Sequence, residues 1–124
     1  KRDWGHAKDY VEAMWLMLQQ KTPKDYIIAT GKQYTIKQFV NMVCKQLKLK
    51  INWKGKGIKE KGILNNKVVI ECSPKYLRPS EVKSLLGDSS KARKELGWKP
   101  KIKISELIKE MIDYEEKKFK EINY

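Results

Sequence analysis

The chain has 124 residues, with 28 Lys or Arg against 15 Asp or Glu, so its formal net charge at pH 7 is +13. This length allows one domain or part of one, and no apolar run approaches the roughly 20 residues of a membrane-spanning helix, so we expect no membrane association. Cys44 and Cys72 lack the spacing of metal ligands, and we expect two reduced thiols in a cytoplasmic protein without a metal.

The first predicted element is a helix over residues 9–20, with Asp9 as its N-cap. The helix is predicted to be amphipathic, because apolar residues recur at helical spacing, namely Val11, Met14, Trp15 and Leu18. Residues 21–23 then end this helix with a proline.

A short strand and a second helix come next. The apolar run at residues 26–29 lacks helical spacing, which predicts a buried strand. Thr35 and Gln38, three residues apart, predict a capping box at the start of a helix. The apolar face of that helix consists of Ile36, Phe39, Val40, Val43 and Leu47.

The second half of the chain predicts short strands and two more helices. In order, it contains a strand at 51–53, an exposed Gly- and Lys-rich loop at 55–62, a turn at 65–66 and a strand at 67–71. Residues 88–90 cap a short helix that ends at Gly97. The last helix has one apolar face, formed by Ile104, Leu107, Ile108 and Met111.

Helices and strands alternate over the first half of the chain, which is typical of a parallel α/β unit. Only one or two of these strands can belong to such a sheet, and a parallel sheet of that size is not stable alone. The sequence therefore predicts part of a larger α/β protein, and we expect its first residues to come from the interior of a longer chain.

Lysine dominates the positive charge, because only Arg2, Arg78 and Arg93 among the 28 basic residues are arginine. Nucleic-acid sites favour the planar guanidinium of Arg, so a solvated Lys-rich surface explains the charge better than a nucleic-acid footprint. We expect no nucleic-acid partner, although a small basic nucleic-acid-binding module remains the alternative from another functional class. An arginine in such a chain is a candidate for a specific role.

Three segments carry a family resemblance. Residues 2–11 read RDWGHAKDYV, residues 28–31 read IATG with Tyr34 close behind, and residues 76–82 read YLRPSEV, with LGWKP at 96–100. In this order they resemble the GDP-mannose 4,6-dehydratase family of the extended short-chain dehydrogenase/reductases. The resemblance runs to about residue 112.

This resemblance implies the α/β fold of a Rossmann-type enzyme. The chain would be its C-terminal, substrate-binding portion, mixed α/β with short strands and about four helices. Residues 1–124 would bind the GDP-sugar, whereas the N-terminal NADP-binding Rossmann domain lies outside this chain. The family also implies a dimer or tetramer for the full-length protein.

The resemblance further implies four substrate-binding residues. The position of Arg2 contacts the diphosphate in related nucleotide-sugar enzymes, and Arg78 and Glu81 match an Arg and a carboxylate that hold the diphosphate and the nucleotide ribose. Tyr34 lies near the nucleotide contacts of related enzymes. A bidentate guanidinium suits a pyrophosphate, and an ionised carboxylate accepts from both ribose hydroxyls.

Each candidate also has a structural interpretation. Arg2 is able to pair with Asp9, Arg78 with Glu81 in a surface ion pair, and Tyr34 is able to serve packing alone. We expect a structural role for His6, the only histidine, and a surface position for Arg93. The four tryptophans are expected to be core or lid anchors, namely Trp4, Trp15, Trp53 and Trp98.

The implied activity is an NADP-dependent dehydration of GDP-mannose to GDP-4-keto-6-deoxymannose. Hydride leaves C4 of the sugar, water is lost across C5 and C6, and hydride returns to C6. The sequence contains no G-x-G-x-x-G turn, and Tyr114 with Lys118 matches a catalytic Tyr-x-x-x-Lys pair only at the wrong end of the chain. We expect no catalytic or cofactor-binding residue here. Another nucleotide-sugar dehydratase or epimerase of the family, such as a GDP-heptose dehydratase, remains an alternative.

Overall fold

The computed structural model describes residues 1–78, 80 and 82–122, and this part contains four α-helices, five short strands and two 3-10 turns. The helices are α1 (Ala7–Leu18), α2 (Ile36–Gln46), α3 (Ser90–Leu96) and α4 (Ile104–Ile122). The strands are β1 (Arg2–Asp3), β2 (Gln33–Tyr34), β3 (Asn52–Lys54), β4 (Lys61–Leu64) and β5 (Lys67–Glu71). The predicted mixed α/β fold with about four helices is confirmed.

The ladders between the described strands are all antiparallel. β1 pairs with β2, and β3, β4 and β5 form a three-stranded sheet in that order. The prediction of a parallel unit is therefore wrong for these strands. Neighbouring strands of the three-stranded sheet are joined by connections that are too short for the crossover of a parallel pair. Asn65 and Asn66 connect β4 to β5 with φ angles of 48° and 61°, the conformation that a two-residue type I′ hairpin requires.

The N-cap of α1 is His6 and not Asp9. Nδ1 of His6 accepts a hydrogen bond from the backbone N–H of Lys8 at 3.0 Å. Asp9 is buried one turn further along, where its Oδ2 accepts from the backbone N–H groups of Lys101 and Ile102 at 3.1 and 3.0 Å. The prediction failed because these partners are more than 90 residues away, whereas a capping signal is local.

The main core joins α1 to α3. Its buried residues are Ala13, Ala92, Leu96 and Trp98. The indole Nε1 of Trp98 donates to the backbone carbonyl of Asp9 at 2.7 Å, so this large ring is buried without leaving its polar atom unpaired. A second contact layer packs α2 against α4, where Ile108 is buried.

The amphipathic helix predicted at residues 9–20 is α1, but its apolar face is exposed in this chain. This face, which we call the α1 ridge, is exposed at Val11 (61%), Met14 (60%), Trp15 (59%) and Leu18 (83%). Helix α1 instead turns the small Ala13 towards α3. Trp15 is consequently not a core anchor within this chain.

Residues 26–29 form no strand in the described structure, although the sequence predicts one. Tyr26 and Ile28 pack against the main core, whereas Ile27 is 57% exposed. Ala29 is buried, and Gly87 approaches it so closely that an added Cβ would lie 2.4 Å from the Cβ of Ala29. The side chains thus alternate as in a strand, but the segment has no ladder partner among the described residues.

Local signals predicted other boundaries well. Thr35 and Gln38 form the expected capping box at the start of α2, with both reciprocal hydrogen bonds present. Gly97 ends α3 in the left-handed conformation at φ 66°. The helical face predicted for α4 lies within Ile104–Ile122.

The predicted loop at residues 55–62 is partly ordered structure. A 3-10 turn occupies Gly57–Lys59, and β4 begins at Lys61. Gly62 is buried in the sheet, where an added Cβ would meet the Ile51 side chain at 2.9 Å. The absence of a side chain at residue 62 therefore serves close packing.

Candidate functional site

The β1–β2 ladder places two predicted substrate-binding residues side by side. Arg2 lies directly opposite Tyr34, and Asp3 lies opposite Gln33. Residues opposite each other in an antiparallel pair project from the same face, with Cβ atoms about 4.5–5.5 Å apart. The guanidinium and the phenol ring therefore share one surface.

Asp3 fixes this ladder to the turn that precedes β2. Its carboxylate accepts from the backbone N–H of Thr30 at 3.1 Å, from that of Gly31 at 2.9 Å and from the Thr30 hydroxyl. Gly31 has φ 74°, in the left-handed region that glycine adopts readily. Asp3 was not predicted as a positioning residue, although an acidic residue next to Arg2 and a Thr-Gly turn were both visible in the sequence.

Residues 82–84 lie along the same ladder. Nη1 of Arg2 donates to the carbonyl of Val82 at 2.8 Å and to that of Lys1 at 2.9 Å. The Gln33 side-chain amide exchanges two hydrogen bonds with the Ser84 hydroxyl at 3.0 and 3.1 Å. These contacts hold the end of the third family-like segment against Arg2.

Arg78 lies four residues before Val82, so their Cα atoms are at most about 14 Å apart. Its side chain is exposed and makes no hydrogen bond or ion pair with any residue that the structure describes. Glu81 lies outside the described residues, so its ribose contact and its pairing with Arg78 both stay predictions. Asp9, the alternative partner of Arg2, is held by Lys101 and Ile102 instead.

A cleft of about 400 Å³ opens beside Tyr34. Its lining consists of Trp4, Thr30, Lys32, Tyr34 and residues 100–105. This volume is within the range of small-molecule sites, about 300–1,000 Å³. Neither Arg2 nor Arg78 lines this cleft, so it borders the Arg2 surface through Tyr34 alone.

Trp4 anchors the first segment to α2. Its ring stacks on Phe39 with centroids 4.4 Å apart, and its Nε1 is buried without a partner in the described part of the chain. Trp53 donates through Nε1 to the Asn41 side chain at 2.8 Å and also contacts the Lys37 ammonium. Trp4 and Trp53 therefore have the anchoring roles that the sequence predicted.

His6 has the structural role expected of it. Because its Nδ1 accepts from the Lys8 N–H, Nε2 carries the ring proton and donates to Glu110 on α4 at 3.0 Å. The Lys8 ammonium lies 3.3 Å from the other carboxylate oxygen. The pKa of Glu110 lies below its ordinary value because its carboxylate accepts hydrogen bonds. The bond from Lys8 has the larger effect, and the bond from His6 has the smaller one.

Tyr114 and Lys118 lie on α4, where both side chains are exposed. Within the described ranges, no group of three or more His, Cys, Asp or Glu is arranged to hold a metal ion. None of the described helices combines the length and the apolar character needed to traverse a bilayer. Arg93 is exposed but donates to the Ser89 hydroxyl and to the carbonyl of Thr30.

Sequence comparisons identify similar proteins. A family model described as GDP-mannose 4,6 dehydratase matches residues 1–111. The chain is 54% identical over 112 residues to GDP-mannose 4,6 dehydratase 2 of Caenorhabditis elegans, covering 90% of the chain and 29% of that protein. The GDP-mannose 4,6 dehydratase of Drosophila melanogaster is 51% identical over 114 residues, with 90% and 29% covered. A Vibrio cholerae GDP-mannose 4,6-dehydratase is 46% identical over 123 residues, with 90% and 33% covered. The chain thus spans about a third of the length of these relatives.

Proposed function

The chain belongs to the GDP-mannose 4,6-dehydratase family, and from this membership we propose that the whole protein is an NADP-dependent lyase. It converts GDP-mannose to GDP-4-keto-6-deoxymannose and assembles as a dimer or tetramer. Residues 1–124 are its C-terminal GDP-sugar-binding portion, and they act through Arg2, Tyr34, Arg78 and Glu81. Relatives at 46–54% identity that carry this enzyme name support the proposal.

One structural observation supports the binding role most strongly. Arg2 lies opposite Tyr34 in the ladder, and its guanidinium contacts Val82, which follows Arg78 by four residues. Segments that are far apart in the sequence thus meet at one surface. A ligand as long as a nucleoside diphosphate is able to contact Arg2, Tyr34 and Arg78 together.

The two arginines act on the diphosphate in complementary ways. Contacts to two backbone carbonyls hold the Arg2 guanidinium in place before substrate arrives, which reduces the entropy lost on binding. Arg78 is exposed, so its guanidinium is accessible to the diphosphate. Each charge-assisted hydrogen bond to the diphosphate contributes about 1.5–3 kcal/mol.

Glu81 and Tyr34 contact the nucleoside end of the substrate. Glu81 accepts hydrogen bonds from the two ribose hydroxyls, which an ionised carboxylate does without having to lose a proton. Tyr34 contributes an aromatic face beside Arg2, suited to packing against the nucleotide. The sugar end of the substrate extends towards polypeptide outside this chain.

NADP has no Gly-rich binding turn among the described residues of this chain. The Gly-rich stretch of the chain, residues 55–62, leads into a 3-10 turn and β4, and not into the N-terminus of an α-helix that would receive a pyrophosphate. We therefore assign cofactor binding and the catalytic groups to the rest of the protein. NADP, bound there, supplies the hydride chemistry. Residues of this chain bind and orient the substrate.

An activity assay tests the proposed reaction. The whole protein, incubated with GDP-mannose and NADP, should form a GDP-4-keto-6-deoxyhexose that mass spectrometry detects as substrate minus one water. No turnover of GDP-mannose, with dehydration of a GDP-heptose instead, would support the related enzyme. Epimerisation without loss of water would support the second alternative in the family.

A salt titration separates this function from nucleic-acid binding. A basic nucleic-acid module loses affinity for DNA or RNA steeply as salt rises, and it responds evenly to removal of individual lysines. The proposed enzyme should instead bind GDP, with its sensitivity concentrated at Arg2 and Arg78. Tight, salt-sensitive DNA binding without GDP binding would contradict the proposal.

A further inference from the structure

The segment at residues 82–84 contacts the β1–β2 ladder from both of its faces. Gln33 is one residue away from the ladder partner of Arg2, so the side chains of Gln33 and Arg2 project from opposite faces. On one face, Nη1 of Arg2 donates to the Val82 carbonyl at 2.8 Å. On the other, the Gln33 amide exchanges hydrogen bonds with the Ser84 hydroxyl at 3.0 and 3.1 Å. The segment therefore passes from the Arg2 face of the ladder to the Gln33 face.

Gln33 is placed to hold this segment and not to bind the substrate. The proposed diphosphate site lies on the Arg2 face, and both polar ends of the Gln33 amide are already bonded to Ser84. Residues 82–84 are exposed. Within the described structure, their remaining hydrogen bond joins the Lys1 nitrogen to the Lys83 carbonyl at 2.7 Å. Side-chain attachment of the segment thus comes from Arg2 on one face and from Gln33 on the other.

We propose that Gln33 and Ser84 are positioning residues for the diphosphate contact of Arg2. Gln33 holds Ser84, which fixes the Val82 carbonyl two residues earlier, and that carbonyl orients the Arg2 guanidinium. A guanidinium that is oriented before binding loses less conformational entropy when it contacts the diphosphate. This inference rests on the proposed GDP binding by Arg2, and it adds two residues that do not touch the substrate.

A double-mutant cycle on GDP affinity of the whole protein tests this coupling. Ser84→Ala should weaken GDP binding about fivefold, because the Arg2 guanidinium must then be ordered on binding. Arg2→Met lacks the guanidinium but keeps an unbranched side chain, and in this background Ser84→Ala should weaken binding less than about twofold. Equal weakening in both backgrounds would overturn the inference, because Ser84 would then act independently of Arg2.

A conservative variant and a matched serine control show whether the Ser84 hydroxyl is responsible. Ser84→Thr keeps the hydroxyl, so its GDP affinity should stay within about twofold of the unsubstituted protein. Ser90→Ala removes another exposed hydroxyl, one that bonds to the Asp88 side chain, and should also leave GDP affinity within about twofold. A loss in Ser84→Thr or in Ser90→Ala as large as that in Ser84→Ala would overturn the inference.

Steady-state kinetics separate positioning from a general loss of structure. Ser84→Ala should raise KM for GDP-mannose about fivefold and leave kcat within about twofold, because the affected contact is to the diphosphate and not to the reacting carbons of the sugar. A lower kcat at unchanged KM would overturn the positioning role.

The Arg2→Met variant alone distinguishes failure of this inference from failure of the proposed function. If Arg2→Met binds GDP as tightly as the unsubstituted protein, the diphosphate contact of Arg2 is wrong and the inference is overturned with it. If Arg2→Met binds GDP weakly while Ser84→Ala binds normally, only the positioning role of Gln33 and Ser84 is overturned.

Discussion

Asp9 connects α1 to the C-terminal third of the chain. Its carboxylate accepts from the N–H groups of Lys101 and Ile102, and its carbonyl accepts from Trp98 Nε1. At 3% exposure, the side chain is shielded from the solvent that would otherwise replace these bonds. These contacts hold the start of α1, which comes shortly after Arg2 in the chain, at a fixed position.

Replacing Asp9 should destabilise the protein strongly. Asp9→Ala leaves two N–H groups without their acceptor, and we expect a loss of about 3 kcal/mol in the free energy of unfolding. The control is Asp113→Ala, which removes an exposed carboxylate paired with Lys109 and should change the stability little, because solvent screens the pair. Urea unfolding measures both, and equal midpoints for the two variants would contradict the assigned role.

Glu110 should make stability depend on acid pH. Its pKa is lowered in the folded state by hydrogen bonds from Lys8 and His6, so its contribution is fully present above the ordinary pKa of 4.5. That contribution is lost as the pH falls through the lower folded-state pKa. Glu110→Gln should therefore lower Tm at pH 6, and the difference from the unsubstituted protein should shrink towards pH 3. A difference that stays constant over this range would contradict the pairing.

At the residue scale, the sequence predicted the identities of contact residues better than their partners. His6 was correctly expected to have a structural role. The sequence, however, predicted Asp9 and not His6 as the N-cap of α1. The periodic pattern does not reveal that Asp9 has backbone partners at residues 101 and 102, because sequence signals for caps extend over only three or four positions.

At the element scale, α2 is the clearest case of a helix that local sequence defines. Thr35 Oγ1 accepts from the Gln38 N–H at 3.0 Å, and the Gln38 side chain accepts from the Thr35 N–H at 2.7 Å. These two bonds satisfy backbone groups that the first turn leaves without helical partners. The start of α2 follows β2 directly, so the cap also fixes Tyr34.

Two substitutions at Thr35 test whether its hydroxyl stabilises the start of α2. Thr35→Ala removes the acceptor for the Gln38 N–H and should lower the free energy of unfolding by about 1 kcal/mol. Thr35→Ser keeps the hydroxyl and should lose a few tenths of a kcal/mol at most. Urea titrations that rank the two variants equally would show that the cap contributes little.

Elements whose partners are local were predictable, and elements whose partners are distant were not. The hairpin at Asn65 and Asn66 and the end of α3 at Gly97 depend on backbone conformations that those residue types favour. The exposure of the α1 ridge and the lack of a ladder at residues 26–29 within the described structure follow from tertiary contacts, which a local pattern does not specify.

At the scale of the whole molecule, the candidate site depends on the meeting of three distant segments. The sequence resemblance named Arg2, Tyr34, Arg78 and Glu81 individually, but only strand register puts Arg2 opposite Tyr34. Register is set by tertiary pairing, and a two-residue strand carries too short a pattern to reveal it. Asp3 and the Gln33–Ser84 pair, which hold these segments together, were absent from the sequence-based site.

GDP titration of the whole protein tests the central claim most directly. Arg78→Ala should weaken GDP binding by about 2–3 kcal/mol, or roughly 30- to 150-fold, because one bidentate contact to the diphosphate is lost. Lys94→Ala is the control, since it removes an exposed cation on α3 that makes no hydrogen bond or ion pair with the described residues, and affinity should remain within about twofold. Unchanged affinity in Arg78→Ala, or equal losses in both variants, would contradict a diphosphate site at Arg2 and Arg78.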